Sequence, residues 1–272
     1  MHNPFVPETL EGWSILHLMY RVRWDRLRDR TPGDRERMAA EAVQALVAPD
    51  AGSHAVVQVI GHKADLMFVC FRPSFDELAQ AELALSRTAL HDALEATSSY
   101  VSVVELGMYE MTAKIHEQLG ARFTPGSAEF EKAFDEEMNT QRQRVMSRLF
   151  LDMPRARYVC FYPMNKRRGE AFNWYSESFE RRAAMMREHG MIGRQYAGKV
   201  TQVISGSIGY DDWEWGVDLF ADDPLVFKHL IYEMRFDEAS AKFAEFGPFY
   251  TGLQVAPAGL GAYLNGSVPP LP

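Results

Sequence analysis

Cysteine is scarce: 272 residues hold only Cys70 and Cys160, each inside an apolar run, Met67 to Phe71 and Tyr158 to Tyr162. That excludes a disulfide framework and a thiolate metal site, and both thiols read as core groups of a reducing compartment. No window approaches eighteen uninterrupted apolar residues, so no membrane-spanning helix is expected. Met1 to Pro7 lacks a cationic start followed by an apolar stretch, and the cytoplasm is the expected location. Basic residues number 29 against 37 acidic ones, a net charge of −8 that argues against the broad phosphate-neutralising face of a nucleic-acid binder. An anionic ligand would need a local basic pocket. GxGxxG after a strand, the P-loop, HExxH, CxxC and GxSxG are all missing, which removes the cheapest support for nucleotide, zinc and serine-hydrolase chemistry.

What is present is an ordinary globular composition, 47% hydrophobic and 24% charged, long enough for one large domain or two modest ones. Hydrophobic periodicity predicts a strand over Gly12 to Val22, a helix over Gly33 to Pro49, a hairpin of Ala55 to Ile60 with Leu66 to Arg72, a Ser74-capped helix from Phe75 to about Ala96, and a strand over Tyr100 to Leu106. The order is β-α-β-β-α-β. It recurs as Arg157 to Tyr162, a helix from Trp174 to His189 ended by Gly190, a hairpin of Val200 to Gly206 with Trp213 to Phe220, a helix from Asp223 and Pro224 to about Phe246, and a strand over Phe249 to Val255. Such duplication predicts an α+β fold of two tandem ferredoxin-like units whose antiparallel sheets pack together or close into a barrel. The units are expected at 1–110 and 155–272. Between them, 111–154 is expected to hold a mobile loop, about Ala113 to Gly126, and one connecting helix from Ser127 to Phe150. The tail from Ala256 reads as irregular.

The candidate chemistry concentrates in the second half. Tyr162-Pro163-Met164-Asn165-Lys166-Arg167-Arg168 ends a strand with a phenol, a rigid proline and three cations. It suits either a basic turn or a phenol and an ammonium aimed at a carboxylate. His189 shares a mostly apolar helical stripe with Tyr175, Phe179, Arg182 and Met186. A histidine there can be a helix-dipole partner, a satisfied core group, or the single axial ligand of a haem iron, whose porphyrin supplies four nitrogens. Gln202 shares a strand face with Val200 and Ile204, either bonded to backbone or facing a ligand. Trp174, Trp213 and Trp215 offer flat apolar walls or plain packing, while Arg148, Arg194 and Arg235 each sit near an apolar segment.

These segments carry a resemblance. Tyr162-Pro-Met-Asn-Lys-Arg-Arg, Asn173-Trp-Tyr, His189-Gly, Gly193-Arg-Gln-Tyr, Gly198-Lys-Val-Thr-Gln, Gly206-Ser-Ile-Gly, Glu214-Trp-Gly-Val-Asp-Leu-Phe and Tyr232-Glu-Met-Arg-Phe-Asp-Glu-Ala-Ser resemble the HemQ-type coproheme decarboxylases of the chlorite-dismutase-like superfamily. The match is dense over Tyr158 to Gly252 and diffuse in the first half. It implies a homopentamer that uses hydrogen peroxide to remove carbon dioxide from two propionates of iron coproporphyrin III, which is both substrate and redox cofactor, leaving haem b. It further implies that Tyr162 bears a radical, that Lys166 neighbours the reacting propionate, and that His189 ligates iron. Arg148, Pro163, Met164, Asn165, Gln202 and Ser240 would line the substrate, with Arg194 and Arg235 as cationic supports and Trp174 and Trp215 beside the porphyrin. The 155–272 unit would thus carry the haem site. No membrane or nucleic-acid partner is implied, and transient contact with a coproporphyrin ferrochelatase is.

No carboxylate can be picked from the sequence to hold the second His189 nitrogen, and His116 is the one distal base candidate to watch. Chlorite dismutases place an arginine where Gln202 stands, so chlorite chemistry is the disfavoured alternative, beside a non-catalytic haem carrier or sensor.

Overall fold

The computed structural model describes residues 6–269. Strand β1 (Thr9–Val22) is followed by helices α1 (Trp24–Leu27) and α2 (Pro32–Ala45), strands β2 (Ser53–Val59) and β3 (Leu66–Arg72), α3 (Phe75–Ser86) and β4 (Leu94–Gly107). Helices α4 (Tyr109–Gly120) and α5 (Ala128–Leu149) lead to β5 (Tyr158–Lys166), α6 (Phe179–Gln195), β6 (Thr201–Gly206) and β7 (Trp215–Ala221). Helices α7 (Leu225–Met234) and α8 (Glu238–Phe243), strands β8 (Ala244–Phe246) and β9 (Tyr250–Val255), and α9 (Gly259–Leu264) complete the described chain.

In space the first unit runs β4-β1-β3-β2 and the second β9-β5-β7-β6, the ferredoxin-like order in both. Antiparallel pairing of β2 with β9 and of β4 with β6 joins them, so eight strands close on themselves and leave no long edge exposed. Strand β8 adds to β5 where β9 has ended. The chain is therefore α+β, two tandem ferredoxin-like units in one barrel.

Alternation along each strand divides the core. Ile15, Val57, Phe71, Phe161, Phe220 and Tyr250 point inward and fill the barrel. Outward residues of the first unit, among them Leu16 and Phe68, pack under α2, α3 and α9. Those of the second unit, Cys160, Tyr162, Val217 and Leu219, pack under α6 and α7 with Leu230 and Met234. Helix starts follow local chemistry: Thr31 and Asp34 form a reciprocal capping box ahead of α2, and Ser74, Ser127 and Ser178 each accept a backbone N–H at the starts of α3, α5 and α6.

Several expectations are corrected. Helix α3 stops at Ser86 instead of near Ala96, because a turn buries Leu90 and Ala93 and starts β4 at Leu94 opposite Val22. The segment expected as a mobile loop is helix α4, and Gly120, Pro125 and Gly126 mark only its end and the turn that follows. Ile115 and Leu119, one turn apart, pack on Phe130 and Phe134 of α5. The helix carrying His189 begins at Phe179 after a single 3-10 turn, Trp174–Ser176, and runs through Gly190 to Gln195. The glycine with positive φ that follows it is Gly198, at 78°. The helix expected to reach Phe246 breaks after Met234, where Asp237 caps a separate α8. The tail is not irregular: α9 lies on α2, where Gly261 leaves room for Glu36.

Candidate functional site

Three strands build the floor of the site. In register, Cys160, Leu219 and Gln202 form one row, Tyr162, Val217 and Ile204 the next, and Met164, Trp215 and Gly206 a third, all on the face covered by α6 and α7. Pro163 and Asn165 alternate with them and belong to the other side of the strand. Pro163 accepts a hydrogen bond from Gly247 N–H at 2.8 Å, and Asn165 Oδ1 accepts one from Glu214 N–H at 2.8 Å. Gly193 brings α6 over the floor: a Cβ there would lie in ordinary contact with Met234, at 3.4 Å, and with Gln202 Nε2, at 3.7 Å.

Tyr162 is buried. Its ring stacks on Phe249 at 4.5 Å and tilts against Phe246 at 5.7 Å, and its hydroxyl makes no hydrogen bond among the described residues. Burial raises the phenol's pKa, with Cys160 adding and Arg235 opposing.

Helix α6 supplies His189, whose Nδ1 lies 2.9 Å from Asp237 Oδ2. A carboxylate only accepts, so Nδ1 carries a proton toward Asp237, and Nε2 is the ring nitrogen left for any further partner. Asp237 has three tasks: its other oxygen caps α8 by accepting Ser240 N–H at 2.8 Å, and Oδ2 also accepts from Ser240 Oγ at 3.2 Å. Although burial pushes its carboxyl up, the bond and charge of His189 and the Ser240 bonds outweigh that and hold it below the usual carboxylate range. The carboxylate missing from the sequence reading is therefore Asp237; the available signal was an acid three residues before a serine at a helix start.

Lys166, 8% exposed, donates from Nζ to Ala239 O at 3.2 Å and lies 4.4 Å from the Trp174 ring centre. Burial lowers its pKa to about 8, against the pull of Asp237 and Glu214. Trp215 Nε1 donates to Glu105 Oε1 at 3.3 Å, so a carboxylate of the first unit reaches the floor of the second.

Tyr162, Met164, Gln202 and Trp215 thus share one surface, and Lys166, Trp174, His189, Asp237 and Ser240 gather around α8 beside it. Arg235 lies over Phe246, 5.1 Å from its ring centre. Other candidates stand apart. Arg148 is exposed on the last turn of α5, which packs through Leu149 into the barrel core, and Arg194 is exposed on the last turn of α6. His116 packs in the α4–α5 layer, 4.9 Å from the Phe134 ring.

Among the described residues no three His, Cys, Asp or Glu side chains gather as a metal site. A single imidazole held through Nδ1 by a carboxylate has the chemistry of a lone nitrogen ligand. Among the described residues no helix is long and apolar enough to cross a membrane.

Comparison with known proteins gives the chain's family. The family model described as chlorite dismutase matches residues 35–255. A coproheme decarboxylase of Staphylococcus carnosus is 43% identical over 251 residues, 90% of this chain and 92% of that protein. A protein of Natronomonas pharaonis, whose name gives haem binding as provisional, is 46% identical over 93% of this chain but only 41% of its own length. The chain thus spans less than half of that relative. Among solved structures, a haem-binding protein of Thermus thermophilus is 42% identical with a TM-score of 0.79, covering 97% of this chain and 100% of that one. A chlorite dismutase of Candidatus Nitrospira defluvii, 18% identical with a TM-score of 0.69 over 93% of this chain and 95% of that one, shares the fold.

Proposed function

Because the chain belongs to the chlorite dismutase family, we propose that it is a coproheme decarboxylase, converting iron coproporphyrin III to haem b with hydrogen peroxide as oxidant. The observation that carries this reading is the pairing of a metal-competent imidazole, held through Nδ1 by Asp237, with a buried phenol on the sheet beneath α6. Chlorite chemistry is disfavoured by the uncharged Gln202 on that floor.

The substrate's iron, with peroxide, would supply the oxidising equivalents. The remaining work falls to the chain. His189 would hold the iron, and Asp237, bonded to Nδ1, would keep that imidazole in one orientation. Tyr162, in apolar surroundings, gives up its hydroxyl hydrogen and takes one from the propionate carbon. Lys166 holds the propionate carboxylate until it leaves as carbon dioxide. Each cycle balances as propionate plus one peroxide plus one proton giving vinyl, carbon dioxide and two waters. Two carboxylates vanish on turnover, so the product loses charge-assisted anchorage and is released. Trp174 and Trp215 would flank the macrocycle; Met164, Gln202, Ser240 and Arg235 would line it; Arg148 and Arg194 would join only if α5 or α6 residues reorient around substrate. The 155–272 unit would be the haem-bearing part of a cytoplasmic homopentamer that takes its substrate by transient contact with a coproporphyrin ferrochelatase.

The test is incubation with ferric coproporphyrin III and peroxide. Mass spectrometry should show a three-propionate intermediate and then haem b; an unchanged tetrapropionate overturns the reading.

A further inference from the structure

Arg167 and Arg235 line one cavity of about 440 Å³ together with Ser240, Phe246 and Glu245. Arg167 sits just past the end of β5, where its N–H donates to Phe243 O at 2.7 Å and its carbonyl accepts from Trp174 N–H at 2.9 Å. Its backbone is pinned while its side chain is exposed. Arg235 follows the last turn of α7.

Neighbouring cations are already compensated. Arg181 pairs with Glu177 at 2.9 Å and with Glu238 at 2.6 Å, Lys242 pairs with Glu238 at 2.6 Å, and Arg168 lies 3.8 Å from Glu214. Among the described residues neither Arg167 nor Arg235 has an ion pair or a side-chain hydrogen bond. Glu245 is the one acidic residue on the wall, so two guanidiniums face a single exposed carboxylate and the cavity keeps a positive excess. Ser240 ties this cavity to the site, its Oγ lying 3.4 Å from His189 Nδ1. The cavity and His189 thus share Ser240 as a neighbour, which puts an anion seated between the arginines beside the site.

From this we infer that Arg167 is a further substrate-binding residue, forming with Arg235 a two-guanidinium seat for one carboxylate arm of the tetrapyrrole. The inference rests on the function proposed above. Planar guanidiniums suit this task because each offers two parallel donors to a carboxylate.

The test titrates iron-free and ferric coproporphyrin III into the native protein and into Arg167→Gln, Arg167→Lys and Arg235→Gln, with thermal unfolding as the control for folding. The iron-free porphyrin removes the contribution of His189. Arg167→Gln should weaken both porphyrins about tenfold, Arg167→Lys should recover part of the loss, and the Arg167→Gln/Arg235→Gln double variant should be non-additive. Native-like binding by Arg167→Gln overturns the seat, even if the native protein converts coproheme. Binding that depends on Arg167 without any conversion by peroxide keeps the seat and discards the decarboxylase. Failure of the native protein to bind either porphyrin discards both.

Discussion

Asp237 Oδ2 stands 2.9 Å from His189 Nδ1 while the other oxygen of the same carboxyl caps α8 through Ser240 N–H. One side chain thus fixes both the imidazole and the helix that carries Ser240. Asp237→Asn keeps a capping oxygen but loses the charge, so unfolding should change little while the iron–imidazole bond of the haem-loaded protein weakens, seen in its vibrational and visible spectra. Asp237→Ala should in addition cost about 1 kcal/mol of stability, because the cap is lost.

Removal of the Tyr162 hydroxyl breaks no hydrogen bond, since it makes none among the described residues. Tyr162→Phe should therefore fold normally and bind coproheme with native affinity, while turnover falls at least about a hundredfold, a scale typical of losing a group that acts in the transition state. Retained conversion would remove Tyr162 from the chemistry.

Lys166 sets a pH dependence whose sign can be worked out. Its folded pKa of about 8 lies below its ordinary 10.5. Below about 8 the fold bears the cost of a buried ammonium, and that cost disappears as pH rises from about 8 to 10.5, so this group makes stability rise with pH over that window. Binding moves the opposite way, because only the ammonium attracts a carboxylate. Coproheme affinity should fall above about pH 8, and Lys166→Met should flatten that limb while shifting thermal unfolding upward.

Inside the barrel, His17 Nε2 lies 2.9 Å from Asp218 Oδ1, both side chains fully buried, and the imidazole stacks on Phe161 at 4.0 Å. His17→Leu leaves a buried carboxylate without its partner and should cost about 3–5 kcal/mol. His17→Leu with Asp218→Leu should recover most of that in denaturant unfolding; a double variant as unstable as the single one would show that packing, not charge, dominates.

The seam between the units has its own test. A Cβ on Gly252 would stand 2.1 Å from Gln58 O, where β9 meets β2. Gly252→Ala should cost about 2–3 kcal/mol, since the nearest obstacle is the Gln58 backbone carbonyl, which cannot rotate aside as a side chain would. A native-like denaturation midpoint would mean that the seam is slack.

The sequence by itself determined the two β-α-β-β-α-β halves, because alternation and helical spacing are local patterns that burial on one face imposes. It also located the β5 strand, though it stopped that strand at Tyr162 where the structure continues it to Lys166. What it hid were elements whose local signals conflict: α4, read as a loop from its glycines and proline, is made a helix by Phe130 and Phe134 packing on Ile115 and Leu119. Only the tertiary structure decided which carboxylate meets His189, because Asp237 lies 48 residues away in sequence. The same holds for the closure of the barrel through β2–β9 and β4–β6, and for the meeting of Arg167 with Arg235. Partners distant along the chain leave no periodic trace, and their contact exists only once the strands and helices have packed.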